Sequence, residues 1–355
     1  MMWVGRRDRY DSCRPQSLSY LKKRTQLMNA MFPMIFSVMI VLSVALLVVG
    51  IVKPEWVRFG KKPLNRTTIV GVAIGLLLIG VIGAGAIQYV GRNNAEAVNR
   101  GKMLGEAVYV VNDSTLRCDP GTKPGTAGPS NDEQTPAGIR YMVKTSVNYN
   151  SNIAHPLLMV YAPARTNRYE SENFVHLTQE ATAAGFIVAY ADHRTMTPKT
   201  VEELAEIPGL IEKKWCVDKK RIFLTGHSDG GTTAMAIAFI NGTKHIPAAI
   251  APSAAGIRGE DLKVYQCPNP LPVMIVHSSQ DTHFPGYGKE AIQWWAACNG
   301  CGTAELVKDA DGCVTYKGCT NNVTTRYCEG TGTHSEWPGR NKAIIDFFRS
   351  QQDVR

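Results

Sequence analysis

The sequence lacks several patterns that mark common protein classes. No Gly-rich phosphate loop of the Walker type, no dinucleotide-binding fingerprint and no internal repeat occurs in its 355 residues. Charged residues make up only 19% of the chain and hydrophobic residues 44%, which excludes a disordered chain, a collagen-like chain and a coiled coil. The length is sufficient for one large domain or two ordinary ones with a sizeable core.

Acidic residues are scarce at the N-terminal end. Residues 1–102 contain 15 Lys or Arg but only 4 Asp or Glu, whereas the remaining 253 residues contain 24 and 26. The formal net charge of +9 therefore belongs to the N-terminal part. Because the rest of the chain is slightly acidic, the sequence argues against a nucleic-acid partner.

Charge is absent altogether from two apolar runs, residues 31–52 and 69–90, each 22 residues long. An α-helix rises about 1.5 Å per residue, so roughly 20 apolar residues cross a ~30 Å hydrocarbon layer. The sequence therefore predicts a basic arm over 1–30 and two transmembrane helices within 31–90, joined by a basic connector at 53–67. One signal-like segment followed by one anchor is the alternative.

Cysteine is unevenly distributed. Cys13 lies in the basic arm, and the other eight follow the second apolar run: Cys118, Cys216, Cys267, Cys298, Cys301, Cys313, Cys319 and Cys328. An even set of eight predicts disulfides, which persist only in an oxidising compartment, and so places the C-terminal domain on the extracytoplasmic (periplasmic or extracellular) side of the membrane. The alternative is a zinc site, because Cys298 and Cys301 have the spacing of half a zinc ribbon. The second half of such a ribbon is missing, and we expect no metal.

Residues 91–135 are polar and rich in Gly, Pro, Asn and Thr, which predicts a linker. From 136 to 355, apolar runs alternate with helix-like stretches. The predicted strands are Tyr141–Tyr149, Pro156–Ala162, Phe186–Ala191, Arg221–Thr225, Ala248–Pro252 and Val273–His277. The predicted helices are about Glu172–Ala184, Val201–Lys214, Gly230–Ile240, Gly288–Ala297 and Asn341–Ser350. This alternation predicts an α/β domain whose mostly parallel sheet is covered by helices on both faces.

A G-x-S-x-G pattern occupies Gly226–Gly230, between an apolar strand and an Ala-rich helix. A serine on such a turn has a strained backbone, and its neighbours two positions away must lack side chains that would clash. The helix that follows directs N–H groups at the site and favours developing negative charge. The pattern therefore predicts Ser228 as a nucleophile. The alternative is a Gly-rich loop that only packs a helix against the sheet.

A nucleophilic serine needs a base, and the base needs an orienting acid. In this strand–turn–helix fold the chain order is serine, acid, histidine. Asp281 follows an apolar strand, and His334 lies in a Gly-rich loop ahead of the last helix, so these two are the predicted acid and base. The histidines predicted to lie elsewhere are His277 at the edge of the core, and His283 and His245 in surface loops, with His283 a candidate to line the cleft.

Three blocks of this domain follow one another in the order found in a known group of enzymes. They are 217–221 with the turn 226–231, the strand 272–281 followed by Trp294-Trp295 and Asn299-Gly300-Cys301, and the ending His334–Gly339. With them, the chain from about Tyr141 to Phe348 resembles the polyhydroxybutyrate-depolymerase-like esterase family of α/β-hydrolases, which includes feruloyl and acetylxylan esterases. The resemblance implies an α/β-hydrolase fold, hydrolysis of carboxylic esters without a cofactor, and Ser228, Asp281 and His334 as nucleophile, acid and base.

One loop departs from the family pattern. The family usually has His-Gly after its first core strand, and that loop supplies one oxyanion-hole donor. Positions 160–163 here read Val-Tyr-Ala-Pro, and Pro163 has no N–H to donate. We therefore expect Ala162 and the N–H of Asp229 to form the oxyanion hole, with the hydroxyl of Tyr161 as a candidate to compensate. The predicted substrate contacts are His227, Tyr161 and Trp337.

The favoured function is a membrane-anchored, extracytoplasmic serine esterase that works through an acyl-enzyme. One alternative is a serine peptidase of the same fold. Another is a catalytically weak binding or cell-surface protein, which the altered loop would permit. The ester stays open between a polyhydroxyalkanoate, an acetylated or feruloylated polysaccharide and small esters, because specificity lies in loops.

Overall fold

The computed structural model describes residues 40–49, 51–52, 57–59, 62–63, 65–82, 104–109, 111, 115–309 and 312–351. The chain divides into two compact units, Met1–Gly101 and Lys102–Arg355. The predicted basic arm, 1–30, lies outside the described residues.

In its described part, the first unit has helical residues at 40–49, 51–52 and 66–82. Two short strands, Arg58–Phe59 and Lys62–Pro63, pair antiparallel. None of the helices in these described ranges combines the length and the apolar character needed to cross a membrane. The prediction of two transmembrane helices is therefore not supported, since even 66–82 falls short of the roughly 20 residues that a bilayer requires. The predicted spans also include 31–39, 50 and 83–90, which lie outside the described residues.

A ten-stranded mixed sheet forms the centre of the second unit. In chain order its strands are β1 (Pro129–Gln134), β2 (Arg140–Lys144), β3 (His155–Tyr161), β4 (Ile187–Ala191), β5 (Val217–His227), β6 (Ala249–Ser253), β7 (Val273–Ser278), β8 (Gly302–Lys308), β9 (Cys313–Lys317) and β10 (Thr325–Gly330). Across the sheet they run β8-β9-β10-β7-β6-β5-β3-β4-β2-β1. The six strands from β10 to β4 are parallel, and the pairs at both edges are antiparallel. The predicted α/β-hydrolase type of fold is confirmed. The first strand, β1, lies in the region predicted to be a linker.

Helices cover both faces of this sheet. They are α1 (Arg168–Val175), α2 (Thr178–Ala183), α3 (Pro198–Ala205), α4 (Ile207–Lys214), α5 (Asp229–Phe239), α6 (Gly259–Leu262), α7 (Tyr287–Cys298) and α8 (Asn341–Arg349). One core cluster packs α3, α4, α5 and α7 on the sheet, and a second packs α1, α2 and α8. Every residue of β3, β4, β6 and β7 is buried, because strands covered on both faces have no solvent side.

Four disulfides pair the eight cysteines of the second unit. The pairs are Cys118–Cys216, Cys267–Cys298, Cys301–Cys319 and Cys313–Cys328. The predicted disulfide framework is confirmed. Cys298 and Cys301 bond to different partners, so the C-x-x-C pair does not form half of a zinc ribbon.

Candidate active site

Ser228 lies at the turn between β5 and α5, with backbone angles φ 55° and ψ −119°. A positive φ is rare for a residue other than glycine and costs about 1–3 kcal/mol, so the surrounding structure has to hold it. The N–H of Ser228 donates to the carbonyl of Ser253, the last residue of β6, at 3.0 Å. The structure thus has the strand, the tight turn and the helix that the G-x-S-x-G pattern predicts.

The glycines of this turn allow α5 to approach the end of β3. A Cβ on Gly230 would lie 2.0 Å from the carbonyl oxygen of Tyr161, and one on Gly226 would lie 2.5 Å from the carbonyl carbon of Gly230. Both distances are far below van der Waals contact and involve backbone atoms, which cannot swing aside. The two glycines are therefore required for backbone packing as well as for the turn.

His334 lies in the loop between β10 and α8, and its ring connects the serine to the acid. Its Nε2 is 2.9 Å from Oγ of Ser228, and its Nδ1 is 2.8 Å from Oδ2 of Asp281. Because an ionised carboxylate only accepts hydrogen bonds, Nδ1 carries the proton and Nε2 accepts from the serine hydroxyl. The structure brings these three side chains together although the serine and the histidine are 106 residues apart.

Asp281 follows β7 and is only 3% exposed. Burial opposes its ionisation, but hydrogen bonds from His334 and from the N–H groups of Phe284 and His283 outweigh that cost, so the pKa of Asp281 lies below its ordinary value. The two N–H groups both donate to Oδ1 at 2.9 Å. Oδ2 therefore stays available to His334, and the carboxylate is charged and held in place at neutral pH.

His227, a predicted substrate contact, is 3% exposed and instead holds the loop of His334. Its Nε2–H donates to the carbonyl of His334 at 2.7 Å, and its Nδ1 accepts from Oγ of Ser253 at 3.1 Å. Burial lowers the pKa of His227 to about 4, so the ring is neutral at pH 7. The hydroxyl of Ser278 donates to the carbonyl of Gly332 at 2.5 Å and fixes the same loop at a second point.

Ala162 and Asp229, the predicted oxyanion donors, lie on adjoining segments. Ala162 follows β3 directly, and Asp229 is the first residue of α5. A Cβ on Gly230 would be 3.0 Å from the carbonyl carbon of Ala162, so the two segments are in backbone contact. Tyr161 does not reach the site, because its ring packs in the core and its hydroxyl donates to the carbonyl of Leu204 at 3.5 Å. Its predicted roles in substrate contact and in the oxyanion hole do not fit this position.

Aromatic rings lie beside His334. The Phe284 ring stands edge-on to the His334 ring with centroids 4.8 Å apart, and the His283 ring lies at the same distance. His283 therefore lies beside His334, and its expected place in a substrate cleft stays a prediction. Sequence reasoning misses Phe284, although one signal is available: it follows Asp281 by three residues in the same loop.

Trp337, the third predicted substrate contact, is half-buried and packs against the second core cluster. Its ring centroid is 6.0 Å from that of His227 and 6.4 Å from that of Phe174. Its indole N–H donates to Oδ1 of Asn341 at 2.5 Å. The indole is thus oriented by the first residue of α8 and lies beside His227, and its role in substrate contact stays a prediction.

His277, predicted to lie at the edge of the core, supports the acid's loop. It is 2% exposed, and its Nε2–H donates to the carbonyl of Phe284 at 2.9 Å. Burial lowers the pKa of His277. Throughout the part of the chain that the structure describes, no three His, Cys, Asp or Glu side chains gather in a way that would hold a metal ion.

A curated esterase matches the sequence. Over 242 aligned residues the chain is 26% identical to feruloyl esterase B of Piromyces equi. The chain resembles a feruloyl esterase. This match confirms the resemblance that the three motif blocks indicate. The alignment covers 57% of this chain and 43% of the relative, so the chain spans less than half of that protein's length. No protein-family model matches the chain.

Two solved structures align with part of the chain. An acetyl xylan esterase from Aspergillus awamori aligns over 63% of this chain and 99% of its own, at 15% identity and a TM-score of 0.48. A CE1 ferulic acid esterase from Anaeromyces mucronatus, solved in complex with ferulic acid, aligns over 70% of this chain and 97% of its own, at 11% identity and a TM-score of 0.44. At these values neither structure bears on the substrate of this chain.

Proposed function

We propose that the chain is a carboxylic ester hydrolase in which Ser228 is the nucleophile. The observation that carries the proposal is the hydrogen-bonded series from Asp281 through His334 to Ser228, with bonds of 2.8 and 2.9 Å. These are the parts that nucleophilic acyl transfer needs: a nucleophile, a base within hydrogen-bond reach and an orienting carboxylate. The similarity to a feruloyl esterase supports an ester as the bond that is attacked.

The reaction proceeds in two steps. Nε2 of His334 takes the hydroxyl proton as Oγ of Ser228 attacks the ester carbonyl carbon, and the same proton then goes to the departing alcohol. Water attacks the resulting acyl-enzyme with His334 again as base, which releases the acid and restores the serine. Asp281 stays ionised, because its pKa is lowered, and stabilises the imidazolium that forms in each step.

The negative oxygen of each tetrahedral intermediate needs donors. The N–H of Asp229 is one, because it follows the nucleophile at the start of a helix. The N–H of Ala162 is the other, since Pro163 has none. A preorganised donor of this kind contributes about 10²–10³ in rate.

For the substrate, we propose esters of aromatic acids, of the feruloyl type. The Phe284 and His283 rings beside His334 support this choice, because aromatic rings pair well with a planar acyl group. The name of the curated relative points the same way. An acetyl or other alkyl ester would make no use of these rings.

We also propose an oxidising, extracytoplasmic location for the second unit, supported by its four disulfides. We further propose that the chain is anchored to a membrane. This proposal rests on the two uncharged runs in the sequence, 31–52 and 69–90, because the described helices do not support a membrane span.

Hydrolysis by the full-length chain, produced in an oxidising compartment, tests the proposed activity. We expect turnover of p-nitrophenyl acetate and of methyl ferulate, and a loss of at least about 10³-fold in kcat for Ser228→Ala. Ser151→Ala, in the turn before β3, is the matched control and should keep full activity. A higher kcat/KM for methyl ferulate than for methyl butyrate supports the aromatic acyl group.

Two outcomes would contradict the proposal. A folded wild-type chain that hydrolyses no ester would favour the binding-protein alternative. Cleavage of a peptide amide without cleavage of any ester would favour the peptidase.

A further inference from the structure

His193, two residues beyond the end of β4, contacts the start of α5. Its Nε2 lies 2.9 Å from Oδ2 of Asp229, the residue whose N–H is a proposed oxyanion donor. The carboxylate accepts, so Nε2–H donates. The His193 side chain is 15% exposed and that of Asp229 33%, so solvent screens this hydrogen bond only in part.

The same histidine also holds the loop that follows β3. The backbone N–H of His193 donates to the carbonyl of Thr166 at 3.1 Å. Its neighbour Asp192 accepts from the backbone N–H of Arg168 at 2.8 Å and from the guanidinium at 3.1 Å. Because this loop begins at Ala162, His193 is bonded to both segments of the proposed oxyanion hole.

We propose that His193 is a positioning residue that sets the separation of the two oxyanion donors, an inference that rests on the proposed function. Donors stabilise a developing oxyanion most when they need no rearrangement at the moment of reaction. The close backbone packing at Gly230 holds the start of α5 against the end of β3 and Ala162. The ring of His193 adds a hydrogen bond from the segment after β4 to the first residue of α5.

The His193 ring also donates a hydrogen bond to the negatively charged carboxylate of Asp229, which lies close to the proposed oxyanion hole. The carboxylate of Asp229 belongs to the very residue that would donate to the oxyanion, and two negative charges a few ångströms apart repel each other. The hydrogen bond from His193 offsets part of the charge on this carboxylate. Without that bond, the unpaired carboxylate raises the energy of the transition state, even where the backbone keeps its shape.

Kinetics of the full-length chain with p-nitrophenyl acetate test this role. A displacement of about 1 Å in a catalytic group costs up to about 10²-fold in rate, so we expect His193→Ala to lower kcat by about 10- to 100-fold. KM should stay within about twofold of the wild-type value, because the donors act mainly in the transition state. His193→Gln keeps a donor of similar reach and should retain most of the activity.

His193→Asn has a shorter side chain and should lose activity as the alanine variant does. If His193→Ala does not fold, the difference in kcat between the glutamine and asparagine variants still tests the positioning role.

A double variant tests whether the charge on Asp229 contributes to the loss of activity in His193→Ala. Asp229→Asn removes the charge and keeps the N–H, so adding it to His193→Ala should recover part of the lost kcat. Inhibition by a trifluoromethyl ketone, whose adduct with the serine carries an oxyanion, should weaken in parallel with kcat/KM across the series. His176→Asn, at the exposed end of α1 where φ is 52°, is the matched control and should behave as wild type.

The results distinguish a failure of this inference from a failure of the proposed function. An active wild type with unchanged kcat in His193→Ala overturns the inference. Equal losses in the glutamine and asparagine variants would also overturn it, because the reach of the donor at position 193 would then not matter. No recovery in the double variant would overturn the charge effect, and the glutamine and asparagine pair would then decide the positioning role. A wild-type chain inactive on every ester counts against the proposed function instead.

Discussion

At position 227, one neutral histidine links the turn of Ser228 to the loop of His334. His227→Phe keeps an aromatic ring but removes the donor to the His334 carbonyl, which is 2.7 Å away. We expect a loss of about 10-fold in kcat, because the loop of His334, the proposed base, is then held less firmly. The kcat for p-nitrophenyl acetate, compared with that of His176→Asn, measures the effect.

The same substitution changes how stability depends on pH. The pKa of His227 is about 4 in the folded chain and about 6.5 when unfolded, so the unfolded state binds the extra proton as the pH falls below 6.5. Burial of this ring therefore costs stability progressively between pH 6.5 and 4, by about 3 kcal/mol. The free energy of unfolding in urea should fall less for His227→Phe than for wild type between pH 7 and 4.5. Identical pH dependence in the two chains would refute the assignment of a neutral, buried ring.

Residues of the site differ in how far the sequence can predict them. Ser228, Asp281 and His334 are marked by local patterns, namely a glycine turn, a strand end and a Gly-rich loop. Phe284 is marked only by its place three residues after Asp281, and His193 carries no mark, because its relevance comes from a contact with Asp229, 36 residues further along the chain. Tyr161 shows the opposite error: its position at the end of the first core strand favours the site, but strand alternation directs its ring into the core.

At the scale of elements, the contact between α5 and β3 depends on the absence of a side chain at Gly230. Gly230→Ala would place a Cβ 2.0 Å from a carbonyl oxygen of a buried strand. We expect it to abolish activity and to lower the free energy of unfolding by about 3 kcal/mol or more. Urea unfolding and the kcat for p-nitrophenyl acetate measure the two effects.

Gly209→Ala provides the control within another helix. A Cβ at Gly209 in α4 meets nothing within 4 Å. Alanine should stabilise this helix by about 0.5–1 kcal/mol and leave activity unchanged. Equal free energies of unfolding for Gly230→Ala and Gly209→Ala would show that the close approach of α5 to β3 does not require a glycine at position 230.

Buried strands are the elements that the sequence predicts best. The predicted strand Val273–His277 is β7, Val273–Ser278, because a strand covered on both faces has to be apolar throughout. Helix breaks are harder to predict. Glu172–Ala184 was expected to form one helix but forms α1 and α2, since His176 adopts φ 52° after α1. No glycine or proline marks that break.

The cysteine-rich end of the sheet also escapes prediction. Strands β8, β9 and β10 contain few apolar residues in alternation, so no periodic pattern identifies them. The pair Cys313–Cys328 follows from the register of β9 on β10, which brings the two residues opposite each other. Such a register is a tertiary property, and eight cysteines allow 105 pairings in the absence of a structure.

At the scale of the whole molecule, the disulfides predict a thiol count. Of the nine cysteines, eight are paired, which leaves Cys13. The denatured chain, without reductant, should therefore react with a thiol reagent at one position at most. After reduction it should react at nine. Several reactive thiols before reduction would contradict both the pairing and the proposed oxidising compartment.

The wide spacing of the three site residues also has a consequence for how the protein is made. The serine precedes the histidine by 106 residues, and a ribosome adds about 5–20 residues per second. For roughly 5–20 s of synthesis, the nascent chain therefore contains the proposed nucleophile but not the proposed base. On the proposed mechanism, the order of these residues along the chain keeps the growing chain inactive on esters until His334 has been added and its loop can fold.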